Sequence, residues 1–206
     1  MQTELTGLYN KRKNEIKQRL EEFRRVPREE YFYELVYCLL TPQTSARSAG
    51  MAVAVLKQHR FQERDIDPVP LLHSKDYYIR FHHTKANRLR LLKESAPGIL
   101  SVITDNSLSA FERREHLVAI VNGYGLKEAT HFLRNIGKND GLAILDRHIL
   151  RNLEKYGAID KFPKTLSTKK YYQLEEKFKD FSCRVRIPLD ELDLLFWSME
   201  TGMILK

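Results

Sequence analysis

Apolar residues recur at intervals of three and four positions along most of this chain, a spacing that places them on one face of an α-helix. Three segments show the pattern clearly: Tyr31, Phe32, Leu35, Val36, Leu39 and Leu40; Leu89, Leu91 and Leu92; and Leu117, Val118, Ile120 and Val121. No segment sustains the alternation of apolar and polar residues that is typical of a strand. The pattern therefore predicts an all-α fold of roughly ten short helices.

Prolines are predicted to lie between these helices, because proline lacks an amide hydrogen and suits helix starts and loops. The prolines predicted to lie between helices are Pro27, Pro68, Pro70, Pro97, Pro163 and Pro188. The polar stretch from Leu5 to Arg25 is predicted to be a further helix with four apolar residues near one face, Leu8, Ile16, Leu20 and Phe23. Since no repeat, low-complexity segment or Gly/Ser linker interrupts the chain, any two subdomains are expected to pack against each other.

Composition and charge narrow the class of protein. With 206 residues and 42% hydrophobic content, the chain is long enough for one or two domains with a core, which argues against disorder. Lys and Arg number 35 against 27 Asp and Glu, and the net charge of 35 − 27 = +8 indicates a polyanionic partner without identifying it. No apolar run approaches the roughly 20 residues that span a bilayer, and the first residues lack the apolar core of a secretion signal, so a soluble cytoplasmic protein is expected.

The two cysteines, Cys38 and Cys183, limit the metal chemistry that the chain can support. In a reducing cytoplasm they are expected to be buried thiols rather than a disulfide. Two cysteines are too few for an iron–sulfur cluster or a cysteine-built zinc site, so no metal site is predicted.

Short charged runs are interpreted as solvent-exposed faces. This interpretation applies to Lys11–Lys13 and to Arg113–Glu115. The segment that contains His82, His83 and Lys85 is likewise interpreted as a basic surface.

The chemically informative stretch is residues 117–137, LVAIVNGYGLKEATHFLRNIG. An apolar helix runs into a glycine-rich turn, and a second helix is predicted to begin at Leu126 and to bury Ala129, Phe132, Leu133 and Ile136. Paired glycines suit a tight turn with positive φ, and they let main-chain N–H groups approach a phosphate at the positive end of the second helix. Taken alone, the pattern fits two packed helices with an ordinary turn equally well.

Lys127 falls in the first turn of that second helix, and Asp146 follows in AILDRHILRNL. An uncharged lysine can attack the anomeric carbon of a sugar and form a Schiff base, and both the helix dipole and partial burial disfavour the ammonium form at this position. Asp146 directly precedes RHILRNL and fits a helix N-cap. A capping carboxylate is also stabilised in its charged form, so it can stabilise positive charge on a sugar as well.

These residues carry a family resemblance. NGYGLKEATHFLRNIG together with LDRHILR resembles the helix-hairpin-helix glycosylases, and looks very like the type 2 8-oxoguanine DNA glycosylase/AP lyases. The C-terminal LDLLFWSMETGMILK is similar to the same subfamily, and LLTPQTSAR at 39–47 lies where such enzymes carry the loop that fills the gap left by the expelled base. The related endonuclease III-like enzymes carry a four-cysteine cluster, which two cysteines exclude here.

The resemblance implies a bifunctional DNA repair enzyme that excises 8-oxoguanine by Schiff-base chemistry and cleaves the strand at the abasic site by β-elimination. Lys127 is implied as the nucleophile and Asp146 as the essential carboxylate. Trp197, Lys206 and His131 are implied in binding the everted base. Core packing is the simpler interpretation of Trp197 and His131, and a frayed, dispensable end is the simpler interpretation of Lys206.

Double-stranded DNA that contains oxidised guanine is the implied partner. It is expected to be bound by the main-chain amides of Gly123, Tyr124 and Gly125, and by Gln43 and Arg47 of the loop. The hairpin carbonyls are also expected to be able to hold a monovalent cation, and no organic cofactor or catalytic metal is implied. A monomer associated with the nucleoid is expected.

The resemblance further implies two packed helical subdomains with the active site in the cleft between them. Residues 26–145 are predicted to form a helical barrel that ends in the hairpin, and residues 1–25 and 146–206 to form the second subdomain. Two alternatives stay open. A monofunctional glycosylase for another damaged base would need Asp146 but not Lys127, and a non-catalytic helix-hairpin-helix DNA-binding protein would need neither.

Overall fold

The computed structural model describes residues 2–204, and it is helical almost throughout. The nine α-helices of the described residues are α1 (Gln2–Arg24), α2 (Tyr31–Leu40), α3 (Ala46–Gln58), α4 (His82–Thr104), α5 (Ala110–Ile120), α6 (Leu126–Asn135), α7 (Arg147–Lys155), α8 (Thr168–Val185) and α9 (Leu189–Thr201). Short 3-10 helices lie at Arg28–Glu30 and Pro70–Leu72. Within residues 2–204 the only β contact is an isolated bridge between His73 and Tyr78, so the prediction of an all-α fold is confirmed.

The helices group into two compact units. The central unit comprises residues 26–132, and the terminal unit comprises the remainder on both sides of it. The second boundary falls within α6, whereas it was expected after residue 145. Main-chain groups before α7 bond to α8 instead: the Ala143 amide donates to the Glu175 carboxylate at 2.8 Å, and the Tyr171 hydroxyl donates to the Ala143 carbonyl at 2.7 Å. These bonds attach the segment before α7 to the terminal unit.

In the terminal unit, α1, α7 and α8 all pack against α9. The buried face of α9 is centred on Phe196, whose ring stacks on Tyr156, with 5.7 Å between centroids, and on Phe178, with 6.0 Å. Tyr9 of α1 donates a 2.6 Å hydrogen bond to the Glu191 carboxylate of α9. Aromatic stacking and a buried hydrogen bond thus join helices that are far apart in sequence.

In the central unit, α2 is the core helix, and all ten of its residues are buried. Its sequence, YFYELVYCLL, is largely apolar on every face, as a helix surrounded by other elements must be. Helices α3 and α4 pack against it, and α5 packs against α4. Cys38 is a buried thiol in this helix, as expected, whereas Cys183 on α8 is exposed, so the expectation of two buried thiols is wrong for the second.

Pro97 lies inside α4 rather than between helices, which corrects the prediction made for it. A proline removes one main-chain hydrogen bond from a helix interior and costs about 3 kcal/mol there. Leu89 and Leu92 before it and Ile99 and Ile103 after it are all buried, so the helix has core contacts on both sides of the proline. Tertiary packing therefore outweighs the local preference at this position.

The charged run at Arg113–Glu115 is not a solvent-exposed face. Arg113 and Arg114 are buried, with 6% and 0% of their surface exposed. Arg113 donates to the Asp105 carbonyl at 2.6 Å, and the Arg114 guanidinium lies 5.4 Å from the centroid of the Phe111 ring. Long side chains can be buried in this way when local groups contact their charged ends.

Candidate active site

The predicted hairpin consists of α5, a tight turn and α6. Helix α5 ends at Ile120, residues 121–125 form the turn, and α6 begins at Leu126. The Tyr124 amide donates to the Val121 carbonyl at 3.0 Å, and this bond closes the turn. The order expected from the glycine spacing, a helix, a tight hairpin and a second helix, is confirmed.

Gly123 is required in this turn for two reasons. Its φ is +95°, a conformation that residues with a side chain rarely adopt. A Cβ atom at this position would also lie 2.6 Å from the Arg88 Cδ atom, closer than non-bonded carbons approach. The glycine therefore lets Arg88 of α4 extend across the turn, a contact for which the sequence gives no local signal.

Lys127 lies in the first turn of α6 with 24% of its side chain exposed. Its Nζ atom is 3.7 Å from the Oε1 atom of Glu128. The other carboxylate oxygen, Oε2, accepts a 3.1 Å hydrogen bond from the Gly125 amide. One carboxylate thus contacts both the hairpin main chain and the predicted nucleophile.

The buried face of α6 is the one that the sequence predicts. Ala129, Phe132 and Leu133 in the helix and Ile136 directly after it are all buried. His131 is also buried, with 7% exposed, and its ring packs edge to face against Tyr37 at 6.0 Å between centroids. The structure therefore places His131 in core packing within the central unit, and its contact with a base stays a prediction.

Two of the three hairpin amides expected to bind phosphate have partners in this structure. The Tyr124 amide is used within the turn, and the Gly125 amide is bonded to Glu128. The Tyr124 side chain points inward: its hydroxyl donates to the Leu35 carbonyl at 2.7 Å, and burial raises its pKa above the ordinary value. Phosphate binding at Gly125 would therefore require the Glu128 carboxylate to move.

Gln43, in the turn before α3, and Arg47, in the first turn of α3, are both exposed, and DNA contacts were expected there. The turn at 41–45 is closed by a hydrogen bond from the Thr44 amide to the Thr41 carbonyl at 2.9 Å. Gln43 has φ of +56°, in the left-handed region that favours glycine. The exposed glutamine therefore sits on a backbone that needs support from its surroundings.

Lys85 supplies such support, and its interpretation as part of a basic surface is wrong. Only 3% of the residue is exposed. Its Nζ atom donates to the carbonyls of Leu40 and Pro42, at 2.7 Å each, and to the Thr44 hydroxyl at 3.0 Å. Burial, followed by the positive charges of Arg88 and Lys127, lowers the pKa of Lys85 to about 8.

Asp146 is the N-cap of α7, as the sequence predicts. Its Oδ1 atom accepts hydrogen bonds from the amides of His148 and Ile149, at 2.8 Å each, with extended backbone at the cap itself. The cap is therefore shown, and the catalytic role of the same carboxylate stays a prediction.

Trp197 lies in the same unit as Asp146 and is partly exposed. Its ring meets that of His148 edge to face at 6.2 Å between centroids. Glu200, one turn later on α9, lies 3.6 Å from the His148 Nδ1 atom and accepts a 3.3 Å hydrogen bond from the Asn152 amide group. Trp197 is thus next to the start of the helix that Asp146 caps.

The segment after α9 is attached to α1. Both terminal nitrogens of Arg12 donate to the Gly202 carbonyl at 3.2 Å, and Arg19 donates to the Ile204 carbonyl at 3.4 Å. Ile204 is buried, whereas Met203 is exposed. Lys206, predicted to contact the base, lies outside the described residues.

The described helices include none long and apolar enough to cross a membrane. Residues 2–204 also contain no cluster of three or more His, Cys, Asp or Glu side chains arranged to hold a metal ion.

Residues 16–187 match the profile of a protein family described as 8-oxoguanine DNA glycosylase. This chain belongs to the 8-oxoguanine DNA glycosylase family. An 8-oxoguanine DNA glycosylase/AP lyase of Fusobacterium nucleatum is 38% identical over 213 aligned residues, which cover 98% of this chain and 96% of the relative.

Two solved members of the 8-oxoguanine DNA glycosylase family share the fold over the whole chain. The Methanocaldococcus jannaschii 8-oxoguanine glycosylase/lyase, crystallised in complex with 15mer DNA containing 8-oxoguanine, matches with a TM-score of 0.85 and 33% identity, covering 100% of this chain and 99% of that one. The 8-oxoguanine DNA glycosylase of Thermotoga maritima matches with a TM-score of 0.86 and 28% identity, covering 100% and 98%. The helix-hairpin-helix fold expected from the sequence is therefore the fold of this family.

Proposed function

We propose that this chain excises 8-oxoguanine from double-stranded DNA and then cleaves the strand at the abasic site. The observation that carries the proposal is the position of Lys127, largely buried in the first turn of the helix that follows the hairpin, in a member of the 8-oxoguanine DNA glycosylase family. An uncharged amine in that position is a suitable nucleophile. Relatives named 8-oxoguanine DNA glycosylase/AP lyase support both activities.

Base excision begins at the Lys127 amine. Its nitrogen lone pair attacks C1′ of the damaged nucleotide, the bond from C1′ to the base breaks, and the bonding electrons leave with the base, which takes up a proton. The sugar becomes positively charged as the bond breaks, so the carboxylate of Asp146 stabilises this state. Opening of the sugar ring, with a proton transferred from the nitrogen to the ring oxygen, leaves a Schiff base between Lys127 and C1′.

Strand cleavage follows from the same intermediate. The Schiff base makes the hydrogens on C2′ acidic, and removal of one of them expels the 3′ phosphate by β-elimination. Water then hydrolyses the imine and returns the Lys127 amine. Because the iminium group accepts the electrons in this step, the proposal includes no organic cofactor and no catalytic metal.

The proposed partner is double-stranded DNA that contains oxidised guanine, because the net charge of +8 favours a polyanion and the M. jannaschii relative was crystallised with such DNA. Gln43 and Arg47 are proposed to contact the strand from the start of α3. The Gly125 amide is proposed to bind a phosphate once Glu128 has moved. The everted base is proposed to stack on Trp197.

Three further proposals concern the state of the molecule. It acts as a monomer, and it works in the cytoplasm on the nucleoid. The hairpin carbonyls hold a monovalent cation when DNA is bound. The Gly125 carbonyl already accepts the Ala129 amide at 3.0 Å, so a cation there would share that oxygen with the helix.

Borohydride trapping on a duplex with one 8-oxoguanine tests the proposed function against both alternatives. A Schiff-base enzyme becomes covalently fixed to DNA when the imine is reduced. A monofunctional glycosylase releases the base without becoming fixed, and a non-catalytic binding protein does neither. If neither trapping nor base release is observed, the proposed function is ruled out.

The Lys127→Gln variant tests the assignment of the nucleophile. Glutamine keeps length and polarity but has no nucleophilic amine, so damaged DNA should still bind while base release and trapping fall by about a thousandfold or more. Lys161→Gln is the matched control, because it removes the same charge from an exposed position in the terminal unit. Near-normal trapping by Lys127→Gln would exclude Lys127 as the nucleophile.

A further inference from the structure

Lys85 is a buried lysine whose three partners are oxygen atoms of neutral groups. Lysine is seldom fully buried unless it is paired, and its ammonium group carries three N–H donors. The acceptors, on Leu40, Pro42 and Thr44, lie within 2.7 to 3.0 Å of Nζ, so all three donors are satisfied. These bonds stabilise the conformation of the main chain from Leu40 to Thr44.

The three acceptors surround one residue. Pro42 and Thr44 are the two neighbours of Gln43, and Leu40 is the last residue of α2. Gln43 has φ of +56° at the third position of a turn, after a proline, where glycine is usual. A residue with a side chain held in that conformation costs on the order of 1 kcal/mol, so the turn needs bonds from outside to keep it.

We propose that Lys85 is a positioning residue for Gln43, holding the 41–45 turn so that the exposed glutamine side chain is presented to DNA in a preformed conformation. The inference rests on the proposed function, in which Gln43 contacts the DNA strand, and it takes this segment to fill the gap left by the everted base, as the family resemblance implies. A side chain that enters a base stack must displace favourable stacking, and fixing its backbone in advance removes the cost of ordering it on binding. Lys85 itself is not proposed to contact DNA.

A simpler interpretation is that Lys85 only caps the end of α2. The last carbonyls of a helix lack partners within the helix, and lysine often supplies them. This accounts for the bond to Leu40 but not for those to Pro42 and Thr44, which lie beyond the helix and on both sides of Gln43. The two interpretations differ in what happens when Gln43 is already absent.

A double-mutant cycle distinguishes positioning of Gln43 from simple capping of α2. Excision of 8-oxoguanine is measured for Gln43→Ala, Lys85→Met and the two combined. Each single variant should lower the single-turnover excision rate about tenfold, and the double variant should be no more than about twofold slower than the slower single variant, because Lys85 acts through Gln43. Losses that multiply to about a hundredfold would overturn the proposal, since they would show two independent effects.

Two readouts distinguish positioning from general support of the structure. An abasic duplex has no base to evert, so nicking of that substrate by Lys85→Met should stay within about threefold of the parent protein. Fluorescence of a 2-aminopurine beside the lesion, which rises when the stack is opened, should fall for Lys85→Met and Gln43→Ala alike. Equal loss on both substrates would contradict the proposal.

Lys93→Met is the matched control. It removes the same charge from the same helix, and it also removes a lysine bond to a main-chain oxygen, the 2.6 Å bond to the Arg64 carbonyl. Its excision and 2-aminopurine signal should equal those of the parent protein. A loss as large as that of Lys85→Met would show that charge or helix attachment, not the turn, is responsible.

Thr44→Val supplies a second variant if Lys85→Met does not fold. It removes one of the three acceptors and leaves the lysine in place, so it should lower excision in the same direction, by about threefold, with abasic-site nicking unchanged. No change in excision would count against the proposal. If the unaltered protein does not excise 8-oxoguanine, the proposed function fails first, whereas excision with multiplying losses refutes only the role of Lys85.

Discussion

Asp146 shows how one side chain can serve structure and chemistry through different atoms. Both cap bonds, from the His148 and Ile149 amides, end on Oδ1. The second oxygen takes no part in the cap, so it can face a substrate while the helix start stays bonded. Asparagine keeps the capping oxygen and loses the negative charge, which makes the two roles separable.

We therefore expect Asp146→Asn to unfold with a free energy within about 0.5 kcal/mol of the parent protein and to lose most excision of 8-oxoguanine. Asp146→Ala should lose the excision and about 1 kcal/mol of stability as well. Urea unfolding and single-turnover excision measure the two effects. If Asp146→Asn excises normally and only Asp146→Ala is impaired, the carboxylate is a cap and nothing more.

Lys85 has a consequence for stability as pH changes. Its folded pKa of about 8 lies below the value near 10.5 expected in the unfolded chain. Between these values the unfolded chain keeps the proton that the folded chain has lost, so the free energy of unfolding rises with pH. The free energy of unfolding rises because a charged lysine is buried near the positive charges of Arg88 and Lys127, which destabilises the folded state. This destabilisation ends when Lys85 loses its proton.

From pH 7 to pH 9.5, the free energy of unfolding of the parent protein should therefore increase, relative to Lys85→Met, by on the order of 1 to 2 kcal/mol. Urea unfolding of both proteins at the two pH values measures the difference, and other titrating groups cancel in the comparison. A relative decrease would mean that Lys85 is held in its charged form, with a folded pKa above that of the unfolded chain.

The hairpin is the part of the fold that the sequence predicts best. Its two glycines and the apolar spacing of the flanking helices predict the turn, the start of α6 and its buried face. The hydrogen-bond partners of the hairpin amides could not be predicted in the same way, because a polar residue such as Glu128 is equally compatible with a solvent-exposed position. Only the folded turn shows that the Glu128 carboxylate accepts a hydrogen bond from the Gly125 amide.

The hairpin geometry predicts the effect of Glu128→Gln on DNA binding. If a phosphate takes the place of this carboxylate, removing the negative charge should raise the affinity for undamaged duplex by roughly two- to fivefold. Affinity should fall linearly with salt on a log–log scale in both proteins, with a slope of several phosphate contacts. Glu94→Gln, an exposed change on α4, is the control and should have little effect. Unchanged affinity for Glu128→Gln would place the phosphate elsewhere.

The sequence predicts the helix content and the family, but it does not predict to which of the two units each loop belongs. Residues 133–145 comprise the end of α6 and the segment after it, and in sequence they look like a continuation of the hairpin. They belong to the terminal unit because Glu175 and Tyr171, some thirty positions later, bond to the main chain around Ala143. Lys85 and Arg114 were misjudged for the same reason, since a charged residue in a helix carries no local sign of the partner that will bury it.

The segment after α9 is attached to α1, and this attachment supports the last prediction. A frayed end is the simpler interpretation of Lys206, which lies outside the described residues. Just before it, Arg12 and Arg19 of α1 bond to the carbonyls of Gly202 and Ile204, and Ile204 is buried. A segment held in this way can contribute to a binding site within the terminal unit, whereas one that frays cannot.

Deleting residues 203–206 should therefore separate lesion recognition from strand cleavage. In 8-oxoguanine, nitrogen seven carries a hydrogen, so an acceptor in guanine becomes a donor, and an oxygen from this segment can accept from it. We expect excision of 8-oxoguanine to fall at least about tenfold, equivalent to about 1.4 kcal/mol of lost transition-state stabilisation, while nicking of an abasic duplex persists because it depends on Lys127. A shorter deletion of residues 205–206 keeps the Arg12 and Arg19 contacts and is the control for loss of stability. Equal loss on both substrates would mean that the segment supports the fold, and loss on neither would mean that recognition lies elsewhere.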